Sequence, residues 1–495
     1  MKHRLVHVTR AKRIVLLAVC LTLVSALAAA KPAKYVFFMI GDGLAGVQRA
    51  AAEYYKYSQE HEQTDRAGIS KLVMNTFPAH GMTTTFAENA IITDSAAAGT
   101  ALACGKKTLS GVVAMDAGKQ RSLKTLVDIA QAKGMKTGIV SSVSIDHATP
   151  ACFYAHSPDR GEYWKIAMQL ANSDIDYFGG GQAKGALAGK RRDRNTGKLR
   201  TNPVEAAREN DFRIATTRKE LNACKPGEKV WAFNHTVDRS AALYYEMDRP
   251  DDHLSLLEFT RKGIDLLDND RGFFMMVEGG KIDWACHAND AVAAIHDTLE
   301  FDRCVKAAYE FYKQHPEETL VVVTGDHECG GMTLGFAGTR YGSFPEKLAR
   351  QTMSYQQFNE VVEEFRKNKT SFDNALPVIK KAFGFKKLSA FERDQIRRAF
   401  AASMKGKKER AMNEAVYLQY GSYEPLTVKC THVLDRQAGI AWTSYSHTGV
   451  PVPTSAIGTG AERFNGYYDN TDIFHKMRAA MTGAAAQTRR QPLAR

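Results

Sequence analysis

Tyr35-Val36-Phe37-Phe38-Met39-Ile40-Gly41-Asp42-Gly43 is the stretch whose reading decides the fold. Its first six residues are apolar without alternation. That reads as a strand buried on both faces, the habit of parallel sheets. The flanking glycines permit a tight exit, so Asp42 stands at the strand's carboxyl end. The same grammar recurs along the chain. The run 272–277 leads into Glu278, 320–324 into Gly325-Asp326-His327-Glu328, and 136–141 toward Asp146-His147-Ala148-Thr149-Pro150. Residues 81–86 read as a further strand. Helices are expected at 122–132, 254–267, about 290–314 and about 470–481, and the triple glycine 179–181 as a loop. Strands alternating with helices predict an α/β fold: a doubly wound, mostly parallel sheet with helices on both faces. In such sheets the functional crevice lies at the carboxyl ends of the strands. Asp42, Glu278, Asp326 and His327 fall there, and His147 and Thr149 follow another strand exit.

Thr93-Asp94-Ser95-Ala96-Ala97-Ala98-Gly99-Thr100 adds a helix start. Asp94 suits the N-cap. Ser95 would then lie in the first turn, where unpaired N–H groups favour an anion. Alone, the stretch reads as a capped, alanine-rich core helix; beside the strand-end acids it reads as a nucleophile.

The remaining polar residues have metal-ligand character. Asp283 and His287, four apart, share a face of a helix. With Asp326-His327 and His447 they make three histidines plus carboxylates. That mixture suits zinc, with harder oxygen ligands suiting magnesium nearby.

Taken together, these motifs resemble the alkaline phosphatase family: Gly41-Asp42-Gly43, Thr93-Asp94-Ser95-Ala96-Ala97, Ala148-Thr149-Pro150 with Arg160, Glu278 through Asp283 to His287, Thr324-Gly325-Asp326-His327, and His447-Thr448-Gly449. The resemblance implies a phosphomonoesterase acting on small-molecule phosphate monoesters through a phosphoserine at Ser95, with two zinc ions and one magnesium. One zinc would be held by Asp283, His287 and His447, and the second by Asp42, Asp326 and His327 beside Ser95. Magnesium would be held by Asp42, Thr149 and Glu278, with His147 next to it. Arg160 would grip phosphate oxygens with its planar fork. His147 stands where the best-known bacterial pattern has an aspartate, and Trp284 where it has a lysine. Trp284 reads equally as a packing aromatic. A sulfatase would need a Cys/Ser-x-Pro-x-Arg motif, and Ser95 is followed by Ala96-Ala97-Ala98. A diesterase usually presents threonine as nucleophile. A binding protein with the same cradle would not need the nucleophile.

Residues 1–30 hold five basic side chains, no acid, and the apolar run 14–27 before Ala28-Ala29-Ala30. This reads as a signal peptide directing the chain to the periplasm or outside, with residues 31–495 as the mature domain. The run is short for a membrane span, so no stable membrane anchor is expected. The remainder carries +8 of the formal +13, scattered rather than striped, which argues against nucleic acid. Seven cysteines follow residue 30, and export would permit some to pair. Residues 354–367, 376–382 and 389–404 read as charged helices, giving a helical insertion at about 340–430. The insertion joins Asp326-His327 to His447, so both its ends return to the site as a lid or part of a dimer contact. A homodimer is one assembly this allows. Residues 184–203 read as a solvated excursion and the tail after 482 as disordered.

Overall fold

The computed structural model describes residues 31–61, 67–187, 200–406 and 413–484. Residues 1–30, read as a signal peptide, residues 188–199 of the expected excursion and the tail from 485 lie outside the described residues.

Fourteen strands are described: β1 Tyr35–Gly41, β2 Ala79–Thr84, β3 Lys136–Ser141, β4 Tyr177–Gly180, β5 Phe212–Ala215, β6 Lys229–Phe233, β7 Phe273–Gly279, β8 Thr319–Gly325, β9 Glu328–Cys329, β10 Thr333–Leu334, β11 Ile440–Ala441, β12 His447–Thr448, β13 Val452–Gly458 and β14 Gly466–Asp469. Ten form one sheet in the order β14-β2-β13-β8-β1-β7-β3-β4-β6-β5. Every neighbouring pair is parallel except the two that involve β13. The expected mostly parallel α/β architecture is present.

The unbroken apolar run of β1 is explained by its position between β7 and β8. Tyr35, Phe37 and Met39 enter one core, with the helices Leu256–Leu267 and Ala291–Gln314. Val36, Phe38 and Ile40 enter the other, with Ser95–Cys104, Leu126–Ala132 and Asn470–Thr482. Each large apolar side chain fully removed from water contributes about 1.5–3 kcal/mol, so a strand with two such faces belongs at the sheet centre.

The structure departs from expectation at the triple glycine. Gly179 and Gly180 end β4 instead of forming a loop. Gly180 pairs with Ser141 at φ 112°, and a Cβ there would lie 1.9 Å from the Ser141 carbonyl oxygen. The glycines thus serve close approach of two backbones, a use that strand propensity hides. The strands β5, β6 and β13 had no clear sequence signal. All seven cysteines after residue 30 are buried free thiols.

Between β10 and β11 stand the helices Tyr355–Lys367, Phe372–Phe383, Ala390–Met404, Glu414–Tyr420 and Pro425–Ala438. Ser354, Ser371, Ser389 and Asn413 cap the first four, accepting backbone N–H groups of the first turn. Ser371 is why the second helix begins earlier than expected. Phe358, Val362, Ile379, Phe383 and Ile396 join the same core as one face of β1.

Candidate active site

The candidate residues gather at the carboxyl edge of β1, β3, β7 and β8. Ser95 opens its helix as expected. Asp94 is the N-cap: its Oδ1 accepts the Ala97 N–H at 3.0 Å. The other oxygen of the same carboxylate accepts the Gly111 N–H at 3.0 Å and Arg160 Nη1 at 2.9 Å. One side chain therefore both starts the serine's helix and aims the arginine. Burial alone would raise the Asp94 pKa, but Arg160 and the two N–H groups hold it below the usual carboxylate range.

Asp42 follows β1, Glu278 lies in β7, and Asp326 and His327 follow β8. All four are buried. The His327 Nε2 lies 3.4 Å from Asp42 Oδ1, 3.3 Å from Asp326 Oδ2 and 3.3 Å from the Ser95 Oγ. Asp326 Oδ1 accepts the Gly43 and His327 N–H groups at 3.1 and 2.9 Å. Gly43 is required at this crossing. Its φ is +69°, and a Cβ would stand 2.9 Å from the Cα of Asp283.

Asp283 and His287 share a face of the helix Lys281–His287, with His287 Nε2 3.3 Å from Asp283 Oδ2. His447 arrives from far along the chain on β12, whose pairing with β9 sets His447 opposite Cys329. Its Nε2 lies 3.5 Å from Asp283 Oδ1 and 3.1 Å from His287 Nε2. Each ring gives its Nδ1–H to a backbone carbonyl: His287 to Tyr445 at 2.6 Å, and His447 to Thr93 at 2.7 Å. A carbonyl only accepts, so in the neutral rings both Nε2 atoms carry lone pairs. Two such atoms 3.1 Å apart beside a carboxylate need a proton or a metal cation between them. Against burial, Asp283 raises His287 to about 9 and raises His447 too, so the pair holds a proton where a metal could sit, with the backbone-anchored Nδ1 groups of metal-ligating histidines.

The carboxylates tell the same story. Burial, then the charge of Asp326, pushes Asp42 well above its ordinary range. Burial raises Glu278 to about 8 and, with Asp283 next, Asp326 to about 7. Burial also pushes Asp283 up, but His287 and His447 outweigh it and hold that carboxyl well below its usual value. Both Asp42 oxygens, Thr149 Oγ1 and Glu278 Oε1 are buried without a hydrogen-bond partner. Such groups are costly unless a proton or a cation meets them.

Three ligand-bearing clusters result: Asp283, His287 and His447 with Cys329; Asp42, Asp326 and His327; and Asp42, His147 and Glu278. Asp42 belongs to two. Cys329, missed in the sequence, gives its thiol to the Asp283 carbonyl at 3.6 Å, and burial pushes its pKa up. Glu328, to which the sequence assigns no role, accepts Gln48 Nε2 at 2.8 Å and the Thr448 hydroxyl, which braces the β9–β12 ribbon that delivers His447.

His147 is the N-cap of the short helix Ala148–Ala151 that carries Thr149. Its Nε2 accepts from Arg160 Nη2 at 3.1 Å. Burial, then Arg160, lowers its pKa to about 3, so the ring is neutral with one lone pair. While that lone pair accepts from Arg160 it is not available to a metal. Asp146 turns away and accepts the Lys184 and Gly185 N–H groups at 2.9 and 2.7 Å. Ser95, His147, Arg160, Trp284, His287 and His447 line one open cavity of about 550 Å³.

A serine at a capped helix start, an arginine beside it and buried acid–histidine clusters on a mostly parallel α/β sheet are the groups that a hydrolase of anionic esters uses. The family model for alkaline phosphatase matches residues 33–482. Alkaline phosphatase 4 of Bacillus subtilis is 32% identical over 390 residues, covering 77% of this chain and 75% of the relative. The cold-active alkaline phosphatase of a Shewanella species has a similar structure, with TM-score 0.74 and 29% identity over 90% of this chain and 99% of that one. A variant of the alkaline phosphatase of the Antarctic bacterium TAB5, with a histidine replaced by aspartate and Mg bound in its M3 site, aligns with TM-score 0.60 and 25% identity over 91% and 99%. The chain belongs to the alkaline phosphatase family and is a phosphoric monoester hydrolase.

Proposed function

We propose that this is an exported phosphomonoesterase that works through a phosphoserine at Ser95, with two zinc ions and one magnesium. The observation that carries the reading is the convergence of three ligand clusters, two of them sharing Asp42, on the hydroxyl of Ser95 and the fork of Arg160. Asp283, His287 and His447 would hold one zinc; Asp42, Asp326 and His327 the second; Asp42, Thr149 and Glu278 the magnesium. When bound, these ions neutralise a phosphate dianion and lower the pKa of the serine hydroxyl.

The chain's own residues do the rest. Arg160 pairs with two phosphate oxygens and fixes the ester in front of the helix that starts at Ser95. The Ser95 Oγ loses its proton and attacks phosphorus in line, the bond to the alcohol oxygen breaks, that oxygen takes up a proton and leaves as the alcohol, and phosphoserine forms. Water then attacks phosphorus from the vacated side, the P–Oγ bond breaks, and Ser95 is regenerated. Two inversions give net retention at phosphorus. Asp94 keeps the nucleophile and the arginine in register throughout.

His147 supports a third site that holds magnesium less firmly than an aspartate would. Its lone pair faces Arg160, and the TAB5 variant described as having Mg in its M3 site has an aspartate in place of a histidine. Export rests on the basic and apolar character of residues 1–30. Among the described residues no helix is long and apolar enough to cross a membrane.

The test pairs an aryl phosphate with the corresponding aryl phosphodiester and measures bound metal alongside. The expected result is fast turnover of the monoester alone, with zinc and magnesium present. Preference for the diester, or full activity after exhaustive chelation, would overturn the proposal.

A further inference from the structure

We propose that the aromatic side chains lining the active-site cavity form a stacking subsite for the alcohol part of the substrate. It would select phosphate monoesters whose leaving group carries a flat unsaturated ring, a nucleobase or an aryl group. The inference rests on the phosphomonoesterase reading and deepens it.

The cavity of about 550 Å³ is lined by two kinds of residue. Ser95, Arg160 and the histidines are polar or charged. Trp284, Tyr355, Tyr417, Tyr423 and Tyr445 are aromatic, and Trp284 meets His147 edge-on at 5.8 Å between ring centres, so the two sets adjoin. A volume of this size suits a drug-sized ligand rather than a bare phosphate group. The tyrosines form a run of neighbouring rings. Tyr355 and Tyr423 lie 6.0 Å apart between centroids, Tyr423 and Tyr445 6.4 Å, and Tyr445 and Tyr417 6.4 Å. The Tyr445 hydroxyl is tied back to the Gln419 carbonyl at 2.7 Å. Tyr417 stands half exposed at the rim. Aromatic faces bind flat bases with little regard to their sequence of polar atoms.

The wall is assembled from separate segments and bolted from behind. Trp284 rides on the helix Lys281–His287, Tyr355 opens the first insertion helix, and Tyr445 precedes β12. Lys281, fully buried, gives Nζ hydrogens to Asp238 Oδ2 at 3.1 Å and Gln356 Oε1 at 3.0 Å. The same Nζ lies 3.9 Å from the Tyr245 ring centre and 5.0 Å from that of Trp284. Gln356 Nε2 also donates to Asp238 Oδ2 at 3.0 Å, and the Tyr245 hydroxyl donates to that of Tyr355 at 3.3 Å. A buried cation thus joins the helix of Trp284 to the helix of Tyr355. Trp284 and Tyr355, held this firmly, lose little freedom when a ligand stacks on them.

The experiment compares adenosine 5′-monophosphate with ribose 5-phosphate, the same primary ester with and without a base, and benzyl phosphate with ethyl phosphate. Inhibition by inorganic phosphate reads the phosphate grip alone. The parent enzyme is expected to favour the ring-bearing member of at least one pair at least fivefold in kcat/KM. Tyr417→Leu and Tyr445→Leu keep bulk and remove the flat face; they should cut that preference to less than half while phosphate inhibition is retained. A preference confined to the nucleotide assigns the wall to nucleobases, and one shared by benzyl phosphate assigns it to any flat ring. If Tyr445→Leu fails to fold, the rim residue Tyr417 decides. No preference in the parent, or an unchanged preference in a folded Tyr417→Leu, overturns the subsite. Failure to turn over any of the four esters would instead sink the phosphomonoesterase reading.

Discussion

Arg160→Ala is the sharpest perturbation of the proposed phosphate grip. The guanidinium gives Nη1 to Asp94 and Nη2 to His147. Under the proposed function, replacing it removes the grip on phosphate but leaves Ser95 and every member of the three ligand clusters in place. A hydrogen bond to a charged group contributes about 1.5–3 kcal/mol. A bound phosphate would gain two such bonds, but both terminal nitrogens already have partners in the free protein, so the net gain is near that of one. At about 1.4 kcal/mol per decade, kcat/KM should fall roughly 10- to 150-fold. Folding should survive, because Asp94 keeps the Ala97 and Gly111 N–H groups. The assay is steady-state hydrolysis of an aryl phosphate, with inhibition by inorganic phosphate and phosphoryl transfer to an amino alcohol measured in parallel. Inhibition should weaken by a similar factor, and transfer should stay detectable because the nucleophile remains. A kcat/KM within twofold of the parent, with unchanged phosphate inhibition, would refute the placement of Arg160 on phosphate.

Ser95→Ala should lose at least ~10³-fold in kcat and all transfer to the amino alcohol, since transfer needs phosphoserine as donor; any surviving transfer would move the nucleophile elsewhere. His147→Asp supplies a charged ligand in place of a lone pair engaged by Arg160, and should retain more magnesium through dialysis, read by metal analysis; equal retention would count against the histidine's role. The folded pKa of Asp94 is depressed, so its contribution to stability is complete above the unfolded value of 3.8 and fades as pH falls through the folded one. Asp94→Asn should therefore melt lower than the parent near neutrality, with the gap closing below about pH 4; a gap that widens in acid would contradict this. Lys281→Met leaves Asp238 buried without its cation and should cost about 3 kcal/mol or more in denaturant unfolding. Adding Asp238→Asn should restore part of that loss, and a single-variant cost below about 1 kcal/mol would show the pair to be idle.

Much of the molecule is local and therefore legible in the chain. Runs such as 35–40 and 320–323 are apolar throughout because their strands are covered on both faces. The acids at their ends announce the functional edge before any coordinate is known. Asp94 before Ser95 and the four-residue step from Asp283 to His287 are helix rules, and both hold in the structure. What the tertiary structure decided depends on groups distant in sequence. Gly179-Gly180 looks like a loop until Ser141 is set against it. His447 is a lone histidine in a glycine-flanked loop until two residue pairs of β12 and β9 place its Nε2 against His287. Lys281 carries no motif, and its partners Asp238 and Gln356 lie on other elements. Short-range patterns record hydrogen-bond periodicity and burial, which neighbours along the chain share. Electrostatic pairing and cavity walls are set by packing across the sheet's edge, which chain order does not encode locally.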